Sequence, residues 1–177
     1  MKPNKPTTLE LGTIIHGTMR VQDTMPALLS ALDGIRLSAE DRQTCDEVQQ
    51  CLDEWIAADD KATDSDNPAD ADDLLFDLEM EMNDTLIPLA QDYVPDYCGI
   101  GSHPGDGSDL GVWVCEDLFD DTTQGSYDGC CFRSTESPWP SPGLSLDHSH
   151  WLQINDHGNA TLYRRSGSRW TECWSIV

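Results

Sequence analysis

Apolar residues recur at intervals of three and four through the first half of this chain, and at intervals of two through its last quarter. The first pattern predicts amphipathic helices and the second predicts half-buried strands. Met25, Leu28, Leu29 and Leu32 form one stripe, which places a helix at about 23–34. Asp23 or Thr24 would cap it, Pro26 would sit in its first turn and Asp33-Gly34 would end it. A second helix is expected at about 39–57. Ser38 is its cap, with Asp41 three residues on as a weaker capping box. Cys45, Val48, Leu52 and Trp55 would face inward, and Asp46, Glu47, Asp53 and Glu54 outward. After Asn67-Pro68 a third helix is expected at about 69–87, where Ala71, Leu75, Leu78 and Met82 fall within roughly 60° of one another at 100° per residue. Asp73, Asp77, Glu81 and Asp84 project from its other side.

The character changes after Pro88. Residues 97–100 and 110–115 read as strands joined by a glycine- and aspartate-rich loop, and 151–155, 160–165 and 169–176 read as a C-terminal β-meander. The expected fold is α+β: about three N-terminal helices on one face of a mostly antiparallel sheet of about five strands. A single domain over 1–177 is expected. A mobile acidic linker would lie at about 58–68 and an irregular segment at about 116–147, with a short helix near 116–119.

Charge sharpens this outline. The net charge is -23, and residues 40–128 hold 26 acids against Arg42 and Lys61 alone. Such a balance argues against direct binding to nucleic acid or to an anionic membrane, both of which need clustered cations. No run reaches the roughly 18–20 apolar residues of a membrane span. The start of the chain has two lysines but no apolar run after them, so no signal peptide is expected. Seven cysteines without CxxC spacing fit neither a zinc half-site nor a secreted disulfide scaffold, and reduced thiols in a cytoplasmic protein are the expectation.

Candidate chemistry is sparse. The loop bearing His103, Asp106 and Asp109 offers an imidazole and two carboxylates to a metal or substrate. Asp156 and His157 would join them if both turns lay at one end of the sheet. The plainer alternative is that the glycines supply positive φ and the aspartates bond their local backbone. Neither a four-ligand zinc pattern nor an EF-hand ladder is present. No metal or cofactor is therefore expected, and an enzyme is the less favoured reading.

Three segments carry a resemblance. They are His16-Gly17-Thr18-Met19-Arg20, the stretch from Gly101-Ser102-His103-Pro104-Gly105-Asp106-Gly107-Ser108-Asp109 into Leu110-Gly111-Val112-Trp113, and Asn155-Asp156-His157-Gly158-Asn159-Ala160-Thr161-Leu162-Tyr163. The set resembles small proteins of unknown function encoded by phages, plasmids and mobile elements. What the resemblance implies is an accessory protein acting in a bacterial host's cytoplasm. Carboxylates along a helix can approach the charge density of a duplex, about one charge per 1.7 Å. The combined expectation is an anti-defence protein that binds a cationic, nucleic-acid-binding host protein, acting as a DNA mimic of the anti-restriction or anti-CRISPR type. Asp73, Asp77, Glu81 and Asp84 are its expected contacts. The alternative is a small metal- or ligand-dependent enzyme built on the 101–109 and 156–159 loops.

Overall fold

The computed structural model describes residues 5–62, 69–122, 131–136, 138 and 148–177, with the side chains of 61–62, 69–73 and 120–122 outside that description. The chain divides into two compact units, the first within Met1–Val94 and Cys98–Trp113, the second within Pro95–Tyr97 and Val114–Val177. The fold is α+β, as the periodicity predicts.

In the first unit, α1 (Val21–Asp33) begins two residues sooner than expected. Asp23 is therefore a first-turn residue rather than a cap, accepting from Thr18 Oγ1 at 2.8 Å and Arg20 Nε at 2.7 Å. Pro26 stands inside the helix rather than in its first turn. The second helix, α2 (Ala39–Ala62), starts as the sequence predicts: Ser38 Oγ accepts the Asp41 N–H at 3.0 Å and donates to the Asp41 carboxylate at 2.6 Å. Cys45, Val48 and Leu52 are buried, and Asp46, Glu47, Asp53 and Glu54 are exposed.

That helix outlasts its expected end. Residues 58–62, placed by the sequence in a mobile linker, are helical, because Ala57, Ala58, Lys61 and Ala62 favour the helix and no glycine or proline intervenes. Positions 63–68 lie outside the described residues. The third helix, α3 (Ala69–Met80), passes into a π-helical turn at Glu81–Leu86 and then into α4 (Ile87–Gln91).

The expectation of a single five-stranded sheet is not met. Strands form two sheets, and one strand lies in the first half of the chain, where none was expected. β1 (Gly12–Ile15), β2 (Cys98–His103) and β3 (Asp106–Val114) make a three-stranded sheet in the order β1-β3-β2. β1 runs antiparallel to β3 with Gly12 opposite Val112, Thr13 opposite Gly111 and Ile15 opposite Leu110, so Ile14 is an extra residue and the strand bulges. Met25, Leu28, Leu32, Val48, Leu52, Leu78, Leu86, Leu110 and Val112 are the buried apolar residues that fill this unit.

The second unit holds α5 (Asp117–Thr122) and a sheet in the order β4-β5-β6-β7, made of β4 (Cys131–Ser134), β5 (His150–Ile154), β6 (Ala160–Ser166) and β7 (Arg169–Ile176). β5 to β7 are the expected meander. β4 falls in the segment read as irregular and pairs parallel to β5, from Cys131 opposite His150 to Ser134 opposite Gln153. Leu118, Trp151, Leu152, Leu162 and Trp174 are buried here. Among the described residues no helix is long and apolar enough to cross a membrane, and Cys45, Cys51, Cys98, Cys115, Cys131 and Cys173 form no disulfide with one another.

One backbone approach is tight enough to test. A Cβ at Gly111 would stand 2.4 Å from the Gly12 carbonyl oxygen and 2.5 Å from the Trp113 ring, whereas one at Gly101 would meet nothing within 4 Å. Backbone cannot yield as a flexible side chain can. Gly111→Ala should cost about 1–3 kcal/mol or more in a denaturant titration, and Gly101→Ala should stay within about 0.5 kcal/mol of the parent. Equal effects would mean that β1 does not press on β3 as described.

Candidate functional site

The pairing of β1 with β3 fixes more than a sheet edge. Ile15, the last residue of β1, lies opposite Leu110, so His16, just after the strand, arrives beside Asp109, the preceding residue of β3. Gly17 adopts φ +78°, a conformation suited to glycine. Its N–H reaches Asp109 Oδ1 at 3.3 Å, and the Thr18 N–H reaches the Ser108 carbonyl at 3.0 Å. His16 Nδ1 contacts Asp109 Oδ1. Asp106, at the start of β3, completes the group: His16, Asp106 and Asp109 each bring a donor atom within 4.8 Å of the other two.

The three differ in environment. The His16 side chain is 74 % exposed and that of Asp109 only 12 %. Asp106 is exposed and accepts the Ser108 hydroxyl at 2.7 Å and its N–H at 3.0 Å, which holds its carboxyl below the ordinary carboxylate range. One nitrogen and two carboxylates, open on one side to water, are suited to holding a cation or to orienting a polar ligand.

The loop read from sequence is thus half assembled. Asp106 and Asp109 converge, but His103 does not join them. Its Nδ1 accepts the Gly105 N–H at 2.9 Å, closing the hairpin turn, and its ring stands edge-on to Trp113 at 4.6 Å. The imidazole in the group is His16 instead. Asp156 and His157 lie in the turn between β5 and β6, in the other sheet and the other unit, where they are exposed and face each other at 3.7 Å. The clue to His16 was local. Thr13-Ile14-Ile15 is a β-branched run just before it, a strand signal that ends on the histidine.

The acidic face is built on α2, α3 and the π turn. Asp77 and Asp84 are exposed as expected, and Glu81 is half-buried. The side chain of Asp73 lies outside the described residues. Among the described residues, Asp77, Glu79, Glu81 and Asp84 form no ion pair. On α2, Glu47, Asp53 and Glu54 accept from Gln43, Gln49 and Gln50 at 2.8–2.9 Å, neutral amides that leave the charge uncancelled. Burial first, and then the carboxylates of Glu81, Glu54 and Asp77, push the Cys51 thiol up. The fields of both helices therefore meet at one point on α2. Sequence reasoning missed two neighbours on α3: Phe76 is 62 % exposed and Met80 48 %.

A second polar group occupies the other unit. Asp96 Oδ2 meets His150 Nε2 at 3.1 Å and Arg164 at 3.2 Å, and the Cys173 thiol donates to it at 3.6 Å. His150 and Arg164 are cross-strand partners on β5 and β6, which is why both reach one carboxylate. Ser149 Oγ lies 2.8 Å from His150 Nδ1, and the Trp174 indole N–H donates to the Asp96 carbonyl at 2.8 Å. Tyr97, at φ +60°, presents its ring edge-on to His150 at 4.9 Å. These bonds staple residues 95–97 to the sheet.

Chemistry at Cys173 follows from that setting. Burial, and then the Asp96 carboxylate, push its thiol from 9.0 up to about 11. Only the thiolate is alkylated. At pH 8, iodoacetamide should label Cys173 about a hundredfold more slowly in the folded chain than after denaturation, read by mass spectrometry of its peptide. Equal rates in the two states would place the thiol in water and away from Asp96.

No protein-family model, curated protein or solved structure matches this chain, and its chemistry is carried by its own residues.

Proposed function

We propose that this protein acts by stoichiometric binding: an acidic accessory protein of the phage or mobile-element type that engages a cationic, nucleic-acid-binding or defence protein in the cytoplasm of a bacterial host. The observation that carries the reading is the exposed surface of α3 and the π turn, where Phe76 and Met80 stand among Asp77, Glu79 and Asp84, carboxylates without ion-pair partners among the described residues. Each component has its own part. Uncompensated carboxylates steer a basic partner and raise its rate of encounter. Charge at a wet rim adds little lasting affinity, and desolvated apolar anchors supply it. On a surface that only needed solubility, large apolar side chains at successive turns would be a liability.

The mixture also shapes the expected partner. A face of pure carboxylate spacing would imitate a phosphate backbone and nothing else. With Phe76 and Met80 in it, the face fits a groove whose basic rim encloses an apolar floor. The alternative of an enzyme built on residues 101–109 and 156–159 draws less support, since His103 closes its own hairpin turn and does not join Asp106 and Asp109.

The test begins with capture from host lysate and continues with the purified partner. Affinity should fall as salt rises from about 50 to about 300 mM, as the screening length shortens. Replacing Asp73, Asp77, Glu81 and Asp84 with Asn or Gln should weaken binding roughly tenfold or more and leave the melting temperature unchanged or higher, because self-repulsion is relieved. Phe76→Ser with Met80→Ser should weaken binding with little change in its salt dependence. The same neutralisation at Asp59, Asp60, Asp64 and Asp66 should do less. A partner whose affinity ignores salt and both α3 variants would reduce the acidity to solvation.

A further inference from the structure

We propose that His16, Asp106 and Asp109 bind one first-row divalent transition-metal ion of the Mn2+ or Zn2+ type, a role separate from the helical acidic face. The group combines residues far apart in sequence. β1–β3 pairing brings the imidazole to Asp109, and Asp106 stands three residues before Asp109 on the same strand. With metal bonds of about 2.0–2.2 Å, ligand atoms around one ion stand about 3–4 Å apart. The observed spread is 4.8 Å or less, and a turn of the exposed His16 side chain exchanges its direct contact with Asp109 for a shared ion.

A second observation is independent of that geometry. Asp109 is the one buried charged residue among those described. A carboxylate taken out of water is costly unless a positive charge accompanies it. Among the described residues no lysine or arginine approaches Asp109, and its partners are the Gly17 N–H and His16. His16 carries a positive charge only when protonated, whereas a divalent ion supplies a permanent one, and the surrounding potential of a chain at -23 concentrates such ions near the surface.

The donor set selects among ions. One imidazole with two carboxylates and no thiolate suits Mn2+, Zn2+ and their neighbours. Mg2+ and Ca2+ prefer all-oxygen sites, and Cu(I) prefers sulfur. Three protein ligands on an open surface leave positions for water. The Ser108 bonds to Asp106 Oδ1 orient that carboxylate and leave its Oδ2 to the ion.

The full chain, stripped by chelator, is titrated with MnCl2 and then with ZnSO4 in about 100 mM salt with Mg2+ in excess, conditions that screen diffuse cation binding. One ion per chain should bind saturably and raise the melting temperature. His16→Gln and Asp106→Asn, both at exposed positions, should each weaken binding about tenfold or more and abolish the metal-dependent rise, with an unchanged circular dichroism spectrum. Asp77→Asn with Asp84→Asn should leave the stoichiometric site intact. The proposal is overturned by binding that never saturates near one ion per chain. It is equally overturned if the helical variant weakens binding as much as the site variants, or if His16→Gln binds like the parent.

Discussion

The first unit depends on one close contact, the passage of β1 over β3 at Gly111. The Gly12 carbonyl and the Trp113 indole both occupy the space a side chain at Gly111 would need. Trp113 uses that position to donate its indole N–H to the Gly101 carbonyl at 2.9 Å, locking β3 to β2 through a side chain as well as through the ladder. The same ring backs His103. Downstream of this crossing the chain is held at His16, Gly17 and Thr18, and α1 starts from Arg20 with its first turn set by Thr18 and Asp23. On the upstream side the Leu9 N–H reaches the Tyr93 carbonyl at 2.7 Å. A slip of β1 by one residue in this register would move His16 away from Asp109 and turn the side chains of β1 to the other face of the sheet.

The helices and the meander were legible because their signals are local. Val48, Leu52, Leu78 and Met82 repeat at helical spacing, and β5 to β7 alternate around turns that the sequence marks with glycine. What escaped was non-local. β1 is four residues long and finds its partner about a hundred residues away, and β4 joins β5 across a gap in parallel orientation. Alternation shows which face of a strand is buried but not which strand lies beside it, so the strands were assigned to one sheet where two exist. The site divided along the same line. Asp106 and Asp109, expected with His103 in one loop, share a strand; His16 reaches them only through tertiary pairing; and the condition for Asp156 and His157, two turns at one end of a single sheet, has no single sheet to hold it. Of the expected stripe, Leu78 on α3 and Met82 in the π turn are buried, and Leu75 is half-buried. Phe76 and Met80 lie outside that stripe and are exposed.

Charge is divided as unevenly in space as in sequence. The acids crowd onto α2, α3 and the π turn of the first unit. The second unit carries Arg164, Arg165 and Arg169 on β6 and β7, with Arg164 held on Asp96 and Arg165 lying 5.9 Å from the Trp170 ring. Carboxylates on regular helices sit at fixed spacing, an ordered array rather than a flexible tail. The π turn belongs to the same account. Such turns interrupt a helix at a cost and are often kept where a surface is used, and this one joins the exposed part of α3 to the buried Leu86 and Ala90.

The distance in sequence between β1 and β3 also sets an order of events during synthesis. The strand at 12–15 emerges first and must wait until residue 112 or so has been made before its partner exists. Until then the apolar faces of α1 and α2 have each other and the segment from α3 to the π turn, and β1 has no strand beside it. The meander of the second unit closes between neighbours within about 30 residues and needs no such wait, since short loops pay little entropy to close. A ribosome paused before Trp113 would therefore hold a chain with formed helices and an uncovered edge. That makes the late-arriving β3, rather than the early helices, the step at which a nascent molecule is most exposed to misassembly.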